Sequence, residues 1–465
     1  MSNNYQTPGV YVEEISKLPA SVAQVQTAIP AFIGYTAMNP GVNQAYVINS
    51  IREYEELFGG PQQESYDVVV EDTTDGNGVL SSRSVSVTPS TSVIGDMHSL
   101  YKMYYSLQLF FQNGGGKCYV ISIGDYSTTP NRDHFMDGLS ELEKEDEPTL
   151  IIFPDATSLG ISQDYYDVAQ QALSQASILG DRFVLVDVFD DGNDNTNNVD
   201  EMRGQIGTSN LKYGAVYYPN LQTNTSYAYE ETGVTITHTI DAQAGDLPSS
   251  FADVDSVDNE LYNQIRQRLD SFRVILPPSG IVAGIYARVD RTRGVWKAPA
   301  NESINGVVGP VLKINNAEQD GLNVDPIGGK SINAIRTFTG KGILVWGART
   351  LDGNSNEWRF ISVRRLYNMV EESLRKSTSW AVFEANSAHT WIRIKSMIRN
   401  YLTELWKQGA LAGGTPDQAF FVNVGLGETM TSVDILEGRM NIEVGMAAVR
   451  PAEFIVLKFS HKLQE

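Results

Sequence analysis

The stretch TPGVYVEEISKLPASVAQVQTAIPAFIGYT, residues 7–36, decides how this chain is read. Val10, Tyr11, Val12, Glu13, Glu14 and Ile15 form a short strand-like piece, and the next strand-like run begins only at Ile29. A lone strand leaves its backbone donors and acceptors unpaired. Lys17, Pro19, Ala20 and Ser21 separate this one from any hairpin partner. The reading therefore places its partner in a distant part of the fold or in another subunit. An N-terminal arm that lends a strand to a neighbour builds polymers by the physics of β-augmentation.

Outward from that arm, 465 residues exceed one simple core and predict two or three domains. A hydrophobic content of 42% with 10% aromatics fits a packed globular protein. The net charge of −21 argues against a general nucleic-acid binder, which needs a basic surface. Residues 1–270 carry 12 Lys+Arg against 38 Asp+Glu, and 271–465 carry 23 against 18. This predicts an acidic body joined to a mildly basic C-terminal part. Cys118 is the sole cysteine, so no disulfide forms within the chain. The start lacks a basic, apolar leader and no run has the ~18–20 apolar residues of a membrane span. Synthesis in a reducing cytoplasm is expected, with release by lysis or within a particle.

From 29 to 275 strand and helix signals alternate. Runs such as LIIF and FVLVDV are apolar throughout, as in strands covered on both faces. They predict a doubly wound, largely parallel α/β domain over 25–345, with polar insertions near 60–96 and 220–256. Asp67–Glu71 and Ser84–Thr88 alternate as a hairpin. Pro277–Lys330, rich in Gly, Pro and Asn, reads as loops with short strands. Residues 346–465 read as a smaller α+β domain, with helices near 358–383 and 389–408. A C-terminal arm, Glu453, Phe454, Ile455, Val456, Leu457, Lys458 and Phe459, is a second strand to exchange, and 1–24 is the first arm. On the 389–408 helix Lys395, Arg399 and Lys407 share a face with Arg393 nearby, opposite Trp391, Ile394, Ile398, Leu402 and Leu405.

Five ordered strings carry a family resemblance beside residues 7–36: PPSGIVAGIYARVDRTRGVWKAPAN (277–301), INAIRTFTGKGILVWGARTL (332–351), EWRFISVRRLYNMVEESLRKSTSWAVFE (357–384), LWKQGALAGGTPDQAFFV (405–422) and IEVGMAAVRPAEFIVLKF (442–459). They resemble the contractile tail sheath proteins of phages, pyocin-type particles and extracellular injection systems. The resemblance implies a structural subunit that polymerises helically around an inner tube and contracts to drive it through a target envelope. It implies a C-terminal domain facing inward, a middle domain facing outward and arms exchanged between copies. Implied partners are copies of the chain, an inner tube protein, and baseplate and cap proteins. Arg393, Lys395, Arg399 and Lys407 are then candidates for touching an acidic tube.

Catalytic motifs are weak. Gly329-Lys330-Ser331 resembles the end of a phosphate loop, but Val324 stands where the first glycine belongs. His98, His134, His238, His389 and His461 are scattered without metal-site spacing, and no serine lies in a Gly-x-Ser-x-Gly setting. Asp155, Asp187, Asp190 and Asp191 sit at strand ends, where α/β enzymes keep functional groups. The reading expects no catalytic site, no metal and no cofactor. Its alternatives are a tail-associated paralogue acting as cap or baseplate adaptor, and an oligomeric α/β hydrolase.

Overall fold

A computed structural model describes residues 21–75, 77–90, 99–190 and 195–454. Strand β1 (Pro30–Thr36) is buried throughout, and β2 (Ala45–Ile48) leads to helix α1 (Ile51–Phe58). Ser50 caps α1 by accepting from Glu53 N, and Gly59 ends it at φ 80°, open to glycine without strain. A hairpin follows, β3 (Glu64–Thr74) and β4 (Leu80–Pro89), then α2 (Met103–Gln112). Next come β5 (Cys118–Asp125), α3 (Arg132–Leu142), β6 (Leu150–Ile152), α4 (Ser162–Leu179) and β7 (Phe183–Asp187). Helix α5 (Asn195–Gln205) precedes β8 (Gly214–Tyr218), β9 (Leu221–Ser226), β10 (Tyr229–Ile240) and β11 (Gln243–Ala244). Then run α6 (Asn259–Leu269), β12 (Arg273–Leu276), α7 (Ser279–Arg293), β13 (Glu302–Ser303) and β14 (Val307–Pro310). They lead to α8 (Asn316–Asn323), β15 (Ile332–Phe338), β16 (Gly342–Val345) and α9 (Ile361–Ser377). The last elements are α10 (Ala388–Lys407), α11 (Pro416–Ala419), β17 (Phe420–Asn423), α12 (Ser432–Leu436) and β18 (Glu443–Met446).

The chain divides into two compact units, one of 26–369 with 450–465 and one of 1–25 with 370–449. The larger holds a mixed α/β sheet of nine strands, ordered β13-β16-β15-β8-β7-β6-β1-β5-β2. The six from β15 to β5 run parallel, and β2, β16 and β13 add antiparallel edges. Alternate residues of each strand enter opposite cores. Ile33, Ile151, Val184 and Val186 pack with α3 and α4, while Phe32, Leu150, Ile152 and Leu185 pack with α2 and α7. That two-sided burial is why these strands read as unbroken apolar runs.

Three segments differ from the sequence reading. Ser279–Arg293 is a helix of 15 residues where loops were expected. Its glycines serve close packing: a Cβ at Gly284 would collide with Phe110 O of α2, so the helix pays for its propensity loss by approaching its neighbour. The two polar insertions are also not separate hairpins. β3 and β10 pair in parallel, Thr235 opposite Asp67 and Thr239 opposite Glu71, within a sheet ordered β11-β10-β3-β4. Its inner face, Tyr66, Val68, Val70, Val234 and Ile236, closes on Phe251, Val254 and on Leu261, Ile265 and Leu269 of α6, a core of its own. The hairpin register itself, Asp67 opposite Thr88 and Glu71 opposite Ser84, follows the expected alternation.

Candidate functional site

In the larger unit the first residues, near Thr27, and the last described ones, near Glu453, meet buried arginines. Thr27 Oγ1 donates to Asp290 Oδ2 at 2.6 Å, and Thr27 O accepts from Arg365 at 2.8 Å. Arg365 grips Asp290 through both terminal nitrogens, at 3.1 and 2.5 Å, and lies 4.4 Å over the Tyr286 ring. At the other end Glu453 receives Arg349 Nε at 2.9 Å and Nη2 at 2.5 Å. Phe454 beside it is exposed. Val10, Tyr11, Val12, Glu13, Glu14, Ile15, Ile455, Val456, Leu457, Lys458 and Phe459 lie outside the described residues.

The strand ends of the same unit hold a buried charged cluster. Asp155 accepts N–H bonds from Tyr35 at 2.7 Å, Lys102 at 2.5 Å and Met103 at 2.9 Å. Lys102, also buried, donates its ammonium to Thr157 and Ser158. Gly34 carries no side chain because a Cβ there would run into Asp155. Asp187, at the end of β7, accepts from Ser279 N at 2.8 Å. Burial pushes its carboxyl up to about 7, against the Ser279 bonds and the Lys102 charge. Burial likewise lifts Glu64 to about 7.

A carboxyl raised above its unfolded value near 4 stabilises the fold fully below pH ~4, and that contribution is lost as pH rises through 7. Stability of the larger unit should therefore fall from about pH 4 to pH 7, by at most about 1.4 kcal/mol per pH unit for each such group, and level off above that. Asp187→Asn keeps the acceptor for Ser279 and should flatten part of that fall in urea midpoints measured across this range. An unchanged slope would refute the assignment to Asp187.

Two of the histidines and the glycine loop carry structural bonds: His134 meets Tyr35 OH at 2.9 Å, and His238 meets Asp72 at 3.1 Å, while His98, His461 and Asp191 lie outside the described residues. Lys330 donates to Arg203 O, and Asp325 ties the loop by accepting from Ile327, Gly328 and Lys330. Asp190 accepts from Asn198 and Asn220.

The smaller unit holds β17 and β18, paired antiparallel with Phe420 opposite Met446 and Asn423 opposite Glu443. Among the described residues this sheet has two strands, leaving β17 and the 443–446 stretch of β18 each with an open edge. Beyond that stretch the chain turns to pair Ala447, Ala448 and Val449 with 410–412. A two-stranded sheet is marginal in isolation, and open edges invite another strand. Residues 21–25 belong to this unit, where Ala23 N donates to Ser377 Oγ and Val25 N to Ser373 Oγ. Two residues of extended chain advance ~6.6 Å and one serine-to-serine helical step ~6 Å, so alternate amides meet successive serines.

Helix α10 buries Ile394, Met397, Ile398, Tyr401, Leu402 and Leu405. The four basic candidates line its other side, each already engaged. Lys395 lies 3.5 Å from Glu428, Arg399 3.2 Å from Asp417 and Lys407 2.8 Å from Glu404, while Arg393 stacks 4.3 Å over Trp380. The positive balance of residues 271–465 is unevenly spread. Residues 370–449 carry seven Lys+Arg against nine Asp+Glu, whereas 271–369 carry thirteen against seven. Apolar side chains missed from sequence stand exposed on this unit: Val382, Phe383, Ile392, Leu426 and Leu436. Phe383 holds φ 68°, an outlier conformation for a bulky residue.

Residues 128–351 match the family model for the phage tail sheath protein central domain, and 354–462 that for the phage tail sheath C-terminal domain. The chain is similar to the tail sheath protein of Vibrio phage KVP40, 30% identical over 139 residues, 29% of this chain and 20% of that protein. It is similar to that of Enterobacteria phage T4, 27% identical over 130 residues, 27% of this chain and 19% of that one. The chain thus spans about a fifth of the length of these curated relatives. Among solved structures, the helical sheath of the anti-feeding prophage in its contracted state is 30% identical, with a TM-score of 0.66 over 98% of this chain and 100% of that one. The sheath complex of PVC, an extracellular contractile injection system, in its contracted state is 29% identical, with a TM-score of 0.65 over 99% of both chains.

Proposed function

Because this chain belongs to the contractile tail sheath family, we propose that it is a structural sheath subunit, polymerising helically around an inner tube and contracting to drive that tube through an envelope. The observation that carries this reading is the two-stranded sheet β17–β18 with its open edges among the described residues, in a chain whose sequence near both ends reads as strand. Val10–Ile15 of one copy and Glu453–Phe459 of another add to those edges and make the lattice continuous. A strand of about six residues adds roughly 3–9 kcal/mol of backbone hydrogen bonding at each joint. The exposed Phe383, Leu426 and Leu436 fit a surface that copies or partners cover.

In this reading the 346–465 domain faces the tube and 25–345, with its insertions, faces outward. Baseplate and cap proteins terminate the polymer, and no nucleic acid or membrane insertion is involved. The subunit carries out no chemistry of its own. It is assembled in the bacterial cytoplasm and works in a phage tail or a released tail-like particle.

Negative-stain electron microscopy of the purified chain with its inner-tube partner tests the function: striated tubes support it, and dispersed monomers or small closed oligomers refute it. The same assay tests the tube contact. Exposed ion pairs contribute little to stability and exchange partners readily, so Lys395 and Arg399 can leave Glu428 and Asp417 for an acidic tube. Lys395→Glu with Arg399→Glu should leave the subunit folded and prevent tube decoration. Normal decoration by that double variant sinks the contact.

A further inference from the structure

Resting on the sheath reading, we propose that Arg365–Asp290 and Arg349–Glu453 are two anchors that fix where the exchanged arms leave the larger unit, so that movement of the arms relative to that unit is confined to residues before Thr27 and after Glu453.

The two sites share one design. Each places a nearly buried arginine against a carboxylate through two parallel N–H bonds, the geometry that holds a planar pair most firmly. Each ties to that pair the residue at which an arm begins. At the first, Thr27 enters with both its hydroxyl and its carbonyl, so the backbone itself is held. At the second, the arm residue supplies the carboxylate, Glu453, one-fifth exposed, to an Arg349 that is 5% exposed.

Both arginines are themselves immobilised from behind. Arg365 lies on Tyr286, whose hydroxyl meets Tyr217 OH at 2.7 Å. Arg349 has its backbone clasped by Asn333, which accepts from Arg349 N and donates to Arg349 O, both at 2.8 Å. Its Nη1 also reaches Asn323 O at 3.3 Å. Core packing alone needs no such investment at Glu453, which is followed by the exposed Phe454. Burying a guanidinium is costly unless its partner stays in place. Pulling Glu453 away strands Arg349, and pulling Thr27 away costs the Arg365 pair two bonds. A tensioned arm therefore bends outside the anchor instead of peeling strands from the sheet.

Spin labels on the unassembled full-length chain test this without requiring tubes. Cys118 is buried in β5, out of reach of a label, and Gln26 and Ala452 are exposed positions beside the two anchors. A nitroxide on Gln26→Cys or on Ala452→Cys should give a slow, immobilised spectrum in the parent. Glu453→Ala should abolish the slow component at 452 and leave 26 unchanged, and Asp290→Asn should do the reverse. If Asp290→Asn fails to fold, Thr27→Val, which spares the ion pair, should still loosen 26 alone. A label that stays slow beside a broken anchor, or one that loosens at both sites whichever anchor is broken, overturns the proposal. Absence of striated tubes from the parent chain would instead refute the sheath reading, and leaves the label result standing.

Discussion

A chain lacking residues 1–22 should fold as the full-length chain does and give no striated tubes. The truncation keeps Ala23, Val25 and Thr27, whose bonds to Ser377, Ser373 and Asp290 seat the arm base, so circular dichroism and solubility should match the parent. What it removes is Val10–Ile15, the run proposed above to add as a strand to a neighbouring copy. About 20 residues reach at most ~70 Å when extended, enough to cross to an adjacent subunit. Losing roughly 3–9 kcal/mol at every joint lowers each step of polymer growth by several powers of ten. Tubes of normal striation from the truncated chain would remove the N-terminal arm from the mechanism.

Asp155→Ala should be the most damaging single substitution in the larger unit, costing about 3–5 kcal/mol as a drop in the urea midpoint. The side chain is fully enclosed and accepts three backbone N–H bonds, from Tyr35, Lys102 and Met103. Its removal strands those donors and takes away the carboxylate charge that most favours the Lys102 ammonium. Asp155→Asn should cost less, since one oxygen still accepts while its NH2 faces the remaining donors. A loss below about 1 kcal/mol for the alanine variant would mean that water or a rearranged Lys102 replaces the carboxylate.

Local periodicity made much of the α/β body legible. The apolar runs LIIF and FVLVDV fall on β6 and β7, and Ser50 and Gly59 end α1 as their chemistry requires. Legibility failed where long-range packing overrides local preference. Ser279–Arg293 is helical because Gly280 and Gly284 let it press on Ser106 and Phe110, a benefit invisible without α2. Pairing between β3 and β10 spans about 170 residues of chain and leaves no local trace. The strand-like runs near the two ends stand out in sequence because an unpaired strand is a local anomaly, and they lie almost wholly outside the described residues. Arg349 and Arg365 were not singled out, although Arg364-Arg365 inside the apolar pattern ISVRRLYNMV was a signal that a cation is buried there. The basic face of α10 was readable, while its neutralisation by Glu428 and Asp417 depended on tertiary placement.

The joined insertions carry a consequence for descent and for engineering. β10 and the hairpin of β3 and β4 bury each other's apolar side chains, Val68 and Val70 with Val234 and Ile236. Neither insertion is a detachable ornament: losing one would leave the other as a sticky half-sheet. They can be gained, lost or exchanged between lineages only as a cassette of two cuts made together. A guest peptide belongs at the cassette's tip, in the Asp75–Val79 turn, where Asp75 already accepts from Asn77 and Val79 and the core lies far along the ladder.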